Sequence, residues 1–83
     1  MRQSVEMLHR YRYDPSFEFG RVQICYTHRG APGNRACVSG DRVTHLANTY
    51  MEVETGKGTA TIPYHRIEEI LYDGRVEWKK GAM

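Results

Sequence analysis

Two dipeptides of this 83-residue chain, His28-Arg29 and His65-Arg66, carry residue types from which an anion site is made. An arginine presents a planar fork of donors that matches phosphate oxygens, and a histidine adds a further hydrogen-bond donor. The first pair opens the run His28-Arg-Gly-Ala-Pro-Gly-Asn34, whose glycines, Gly30 among them, are small enough to let backbone amides approach a ligand, as turn amides do in anion-binding nests. The second lies in Ile62-Pro-Tyr-His-Arg-Ile67, where Tyr64 adds a ring able to stack on a base and a hydroxyl able to hydrogen-bond. Holding a phosphate is the chemistry that these residues suggest. Neither run has the glycine, four residues, glycine, lysine pattern of nucleotide-hydrolase phosphate loops. A plainer account competes with it, in which the histidines bond carbonyls and the arginines pair with Glu or Asp at well-made corners.

Other chemistry has less support. Cys25, His28, Cys37 and His45 are potential zinc ligands, but C-x2-H followed by C-x7-H is not the spacing of the common fingers, and no helix carries the histidines. The same two cysteines could form a cross-strand disulfide; in an ordinary cytosol they would stay thiols, whereas some hyperthermophiles keep intracellular disulfides. Two histidines could cleave a phosphodiester by taking and giving a proton, yet no acidic residue stands at a diagnostic spacing to orient them. Asp14, in Tyr13-Asp-Pro-Ser-Phe17, reads as a helix-ending turn residue. No cofactor and no metal are implied.

The elements that must position these groups fit into one domain, residues 1–83, because a chain of this length has little apolar surface to divide between two cores. Net charge is only +2, so bulk charge does not mark a nucleic-acid binder, but nine of the twelve basic residues are arginines, accompanied by six tyrosines and one tryptophan. No apolar run is long enough to span a bilayer and the first residues lack a signal-peptide stretch, so a soluble, cytoplasmic protein without a membrane partner is expected.

Val5, Leu8 and Tyr11 or Arg12 recur at helical spacing after a capping Ser4, and Asp14-Pro15 closes that helix. Residues 21–27 alternate as a strand, and a loop at 29–33 sets Ile24 against Val38, Tyr26 against Ala36, and Cys25 against Cys37 on an outward face. Within 39–48, Gly40-Asp41 is a turn signal, and Arg42 to Leu46 read as either a short strand or a single helical turn. A hairpin through Thr55-Gly-Lys-Gly58 opposes Val53 to Ala60 and Met51 to Ile62. Asp73-Gly74 makes a second hairpin, predicted to pair Tyr72 with Arg75, Leu71 with Val76, Ile70 with Glu77, Glu69 with Trp78 and Glu68 with Lys79. The fold class is therefore α+β: an N-terminal helix packed on a curved, mainly antiparallel sheet of about five strands, open to closure as a barrel. Pro63 ends a strand because it lacks a ladder donor, and the corner after it could turn Tyr64, His65 and Arg66 toward the loop holding His28 and Arg29.

His28-Arg-Gly-Ala-Pro-Gly-Asn34, Ile62-Pro-Tyr-His-Arg-Ile67 and Tyr72-Asp-Gly-Arg-Val-Glu-Trp78 together resemble the short archaeal proteins described as RNA cyclic group end recognition domains. The resemblance runs from the helix near Val5 to Lys79, and Ile62–Ile67 is its most specific part. It implies recognition of RNA termini bearing a cyclic phosphate or similar processed group, with His28, Arg29 and Gly30 from the first motif and Tyr64, His65 and Arg66 from the second. Related domains occur fused to two-histidine phosphoesterases, which implies RNA-processing enzymes as partners but assigns no catalytic activity to the domain itself. The rival readings are a phosphoesterase acting on RNA ends through histidine acid-base chemistry and a protein-interaction module of RNA-processing assemblies.

Overall fold

The computed structural model describes residues 3–81. Helix α1 (Gln3–Tyr13) buries Ser4, Leu8 and Tyr11 on one face, the spacing that puts side chains above one another on a helix. Ser4 thus lies inside the first turn rather than at its cap. The helix stops before Pro15: the Asp14 amide still bonds the Arg10 carbonyl at 2.9 Å, and then the Asp14 side chain accepts the Ser16 amide at 2.8 Å. That backbone donor, together with a hydroxyl bond from the same serine, holds the Asp14 carboxyl below its usual range.

Seven strands follow: β1 (Val22–Thr27), β2 (Arg35–Ser39), β3 (Val43–Leu46), β4 (Tyr50–Thr55), β5 (Gly58–Pro63), β6 (Ile67–Tyr72) and β7 (Arg75–Lys79). They form a four-stranded antiparallel sheet in the order β2-β1-β6-β7 and a three-stranded one in the order β3-β4-β5. The expected class, α+β with an N-terminal helix, holds; the single sheet of about five strands and the barrel do not, because the chain changes sheet twice. It leaves the first sheet through a 3₁₀ turn at Gly40–Arg42 and returns through another at Tyr64–Arg66. Of the two readings of Arg42 to Leu46 the strand holds, as β3, and the 3₁₀ turn falls on the Gly40-Asp41 turn signal before it. The helix and both sheets share one core, to which α1 gives Leu8 and Tyr11, the larger sheet Val22, Ile24, Ile67 and Ile70, and the smaller sheet Met51, Val53 and Ile62.

Two hairpins keep the predicted register, including Ile24 opposite Val38, Val53 opposite Ala60 and Met51 opposite Ile62. The third agrees only next to its turn. Tyr72 faces Arg75 and Leu71 faces Val76, but Ile70 then faces Trp78 and Glu69 faces Lys79, because Glu77 is an extra residue on β7. Pairing of β6 with β1 skips Glu68 in the same way, with Cys25 against Glu69 and Tyr26 against Ile67. Such a bulge lets neighbouring residues share a face, and it explains why Ile67 and Ile70, three apart on a strand, are both buried.

Cys25 and Cys37 are opposite each other as expected and are joined in a disulfide. Cys37 is exposed on the outer face, whereas Cys25 is only 3% exposed, enclosed by Cys37 on one side and β6 on the other. The bond closes the loop that carries His28 and Arg29. With a sequence separation of 12, a crosslink of this kind restricts the unfolded chain by about 3 kcal/mol. Full reduction, or replacement of both cysteines by alanine, should lower the denaturant midpoint accordingly; an unchanged midpoint in a chemical-denaturation series would show that the crosslink adds nothing.

Candidate nucleic-acid interface

The antiparallel neighbours β1 and β6 bring the two His-Arg pairs to the same end of the four-stranded sheet. Tyr26, near the end of β1, pairs with Ile67, the first residue of β6. From that pair the chain runs on through Thr27 to His28 and Arg29 on one side, and back through Arg66 to His65 on the other. A bond of 2.6 Å from the Thr27 hydroxyl to the Glu68 carboxylate ties the two strand ends together.

The outer strands finish the same end. Arg35 opens β2 opposite Thr27, and Lys79 ends β7 opposite Glu69. Lys80 donates its amide to Glu68 at 2.8 Å and its Nζ to the His65 carbonyl at 2.8 Å. All four strands therefore deliver basic residues to one rim, beside Glu68 and Glu69 of β6. Glu69 pairs with Arg35 and Glu68 is engaged by Thr27. Among the described residues, Arg29 and Arg66 have no carboxylate partner, and both are exposed. At the opposite end Arg21 is held by Glu18 at 2.8 Å and Asp73 at 3.3 Å, while the exposed Arg75 has no carboxylate partner among the described residues.

The 28–34 loop is shaped by its own backbone. His28 donates to the Asn34 carbonyl at 2.9 Å, Ala31 to the His28 carbonyl at 3.3 Å and Asn34 to the Ala31 carbonyl at 2.8 Å. Gly30 has φ 88°, a left-handed conformation that a side chain would strain, although a Cβ there would meet open space. Backbone freedom, more than small size, is thus what this glycine supplies. None of the loop's backbone bonds uses the Arg29 or Gly30 amide.

Tyr64 is placed differently from its neighbours. It is 3% exposed, and its hydroxyl donates to the Ala47 carbonyl at 2.6 Å. The ring belongs to the core, so Tyr64 anchors the corner that presents His65 and Arg66, both exposed. Burial, with the nearby Tyr13 phenol adding to it, pushes the Tyr64 hydroxyl up to about 12 from an ordinary 10.0. The neutral phenol is the form that the fold favours. Its contribution is therefore complete below pH 10 and is lost as pH rises toward 12. Tyr64→Phe should cost about 1 kcal/mol at neutral pH through the missing hydrogen bond. It should also flatten the loss of stability across that alkaline window; identical alkaline melting curves for the two proteins would contradict the assignment.

Lys79, Lys80 and Arg35 are absent from the sequence-derived set. The predicted register already set Lys79 opposite Glu68, one residue from its observed partner Glu69, so the strand count itself carried the signal that both lysines end beside the start of β6. The potential zinc ligands are not gathered: the disulfide consumes both sulfurs, and among the described residues no three His, Cys, Asp or Glu side chains form a metal-binding group. Among the described residues no helix is long and apolar enough to cross a membrane.

Comparison with known proteins agrees in extent with this organisation. A protein called UPF0248 from Archaeoglobus fulgidus is 35% identical over 71 residues, covering 86% of this chain and 96% of the relative. A second UPF0248 protein, from Pyrobaculum calidifontis, is 40% identical over 50 residues, or 60% of this chain and 65% of the relative. No solved structure matches. The family model described as the MJ1316 RNA cyclic group end recognition domain matches residues 1–80, both His-Arg pairs and all seven strands included, and the chain belongs to that family.

Proposed function

We propose that this chain is a non-catalytic RNA-binding domain that grips a processed RNA end by its terminal phosphate, cyclic or linear. The observation that carries the reading is the arrival of both His-Arg pairs, with Lys79 and Lys80, at one rim of the four-stranded sheet. Arg29 and Arg66 contact phosphate oxygens, His28 and His65 donate hydrogen bonds, and the Gly30 amide adds a donor from the loop. Tyr64 acts by fixing the corner. The description of the family points to the same ligand class.

Phosphate contacts position an RNA without reading its bases, so base sequence has little influence on this part of the interface. The number of contacts is small, and affinity falls with salt along a shallow slope of about −0.7 per neutralised phosphate. The direct test compares short RNAs that differ only at the 3′ end: a 2′,3′-cyclic phosphate, a linear 3′ phosphate and a hydroxyl. A preference of about tenfold or more for the phosphate-bearing ends is expected from charge-assisted hydrogen bonds. Equal affinity for all three ends would remove the proposal. Recovery of intact cyclic-phosphate RNA after long incubation separates binding from hydrolysis, and turnover lost in His28→Ala and His65→Ala would establish the phosphoesterase instead.

A further inference from the structure

Beside the basic rim lies an open groove of about 460 Å³ between the first turn of α1, the 64–66 corner and the end of β7. Its walls include Ile67, Tyr64 and Trp78, and its edge carries Gln3, His65 and Lys80. We infer that this groove receives the base of the terminal nucleotide, with Trp78 as the stacking surface. The inference rests on the RNA-end reading above and extends it from the phosphate to the nucleoside.

Three observations select that occupant. Trp78 is half-buried, packed on the core by part of its surface while also lining the groove. An indole anchored in this way offers a flat face at little cost in side-chain entropy, which suits stacking on any base. Among the described residues the lining also contains cationic and hydrogen-bonding groups and no carboxylate, unlike the adjacent groove over α1, which includes Glu6 and Glu77. A flat aromatic attached to an anion fits the first groove better than the second. Finally, His65 belongs both to the groove and to the basic rim, and Lys80 is tied to the His65 backbone. A phosphate held on the rim thus places its own nucleoside at the mouth of the groove. Gln3 supplies an amide, with donors and an acceptor, at the edge where a base would present its polar rim.

Trp78 is the single tryptophan of the chain, so its intrinsic fluorescence reports the groove directly. Wild type is titrated with a short RNA ending in a 3′ phosphate and with the same RNA made abasic at its last residue. Fluorescence is read alongside an independent binding signal from a 5′ label. Quenching by the first RNA and not by the second, with about tenfold or greater weakening for the abasic end, is the expected result. Trp78→Ala should abolish the discrimination between the two RNAs, and Trp78→Phe should restore part of it. Phosphate-dependent binding with equal affinity for both RNAs and unchanged fluorescence overturns this inference and leaves the phosphate site intact. Failure of every RNA to bind overturns both. Because the abasic comparison uses wild-type protein, the result does not depend on the folding of a variant.

Discussion

An Arg29→Ala, Arg66→Ala double variant should bind an RNA ending in a 3′ phosphate at least about a hundredfold more weakly than wild type, with an unchanged melting temperature. A hydrogen bond to a charged group is worth roughly 1.5–3 kcal/mol, so two of them removed together correspond to about 10² to 10⁴ in affinity. Stability should hold because both guanidinium groups are exposed and lack acidic partners among the described residues, so truncation leaves no buried charge behind. Each single substitution should cost about tenfold or more. Arg75→Ala, at the turn-proximal start of β7 opposite Tyr72, is a control that removes a charge from the other end of the sheet. Full affinity in the double variant at fixed salt would return both pairs to a purely structural role.

Gly40→Ala should be the most damaging conservative substitution in the fold. The 3₁₀ turn at Gly40–Arg42 packs against the one at Phe19–Arg21, and a Cβ on Gly40 would lie 1.9 Å from the Phe19 carbonyl oxygen and 3.0 Å from its carbon. These are backbone atoms, so no rotamer change relieves the clash; one turn must move. Gly40 is also buried, which leaves no solvent into which the displacement can go. Overpacking of this kind costs about 3 kcal/mol, and a domain of this size then melts roughly 12–24 °C lower. Gly20, in the facing turn, is the matched control: its nearest neighbour would be the Asp41 Cβ at 3.9 Å, an ordinary contact. Equal melting temperatures for Gly40→Ala and Gly20→Ala would show that the turns are not closely docked.

The residue types of the candidate site are easier to pick out in the sequence than the sheet they stand on. Alternation and turn chemistry settle two hairpins residue by residue, because Cys25, Val53 and Met51 sit in unbroken period-two patterns. At Ile67-Glu-Glu-Ile70 the period breaks. Three-residue spacing of buried isoleucines looks helical, and only the pairing of β6 with two neighbours reveals that Glu68 is an insertion in a ladder. The second bulge, at Glu77, shifts the partner of Lys79 from Glu68 to Glu69 and sets Trp78 opposite Ile70. Tyr64 shows the opposite limit. Its type suggests a stacking ring, yet the hydroxyl acceptor that keeps it inside comes from Ala47, a residue in the stretch with the weakest pattern. The spatial order of the strands, which decides that the two His-Arg pairs share a rim, comes from long-range pairings that no local spacing contains.

The uneven placement of charge also bears on how an RNA would arrive. With a net charge of only +2, the molecule exerts little pull on a polyanion from afar. Its extents are 35, 31 and 25 Å, several times the screening distance of about 8 Å in physiological salt. An approaching strand therefore feels the end of the sheet nearest to it and not the average of the whole. Encounters on the Arg21 side meet one arginine already held by two carboxylates, with Arg75 beside it, whereas those on the other side meet Arg29, Arg66, Lys79 and Lys80 together. The protein would act as a vectorial receptor, sorting collisions by direction before any contact with the phosphate is made.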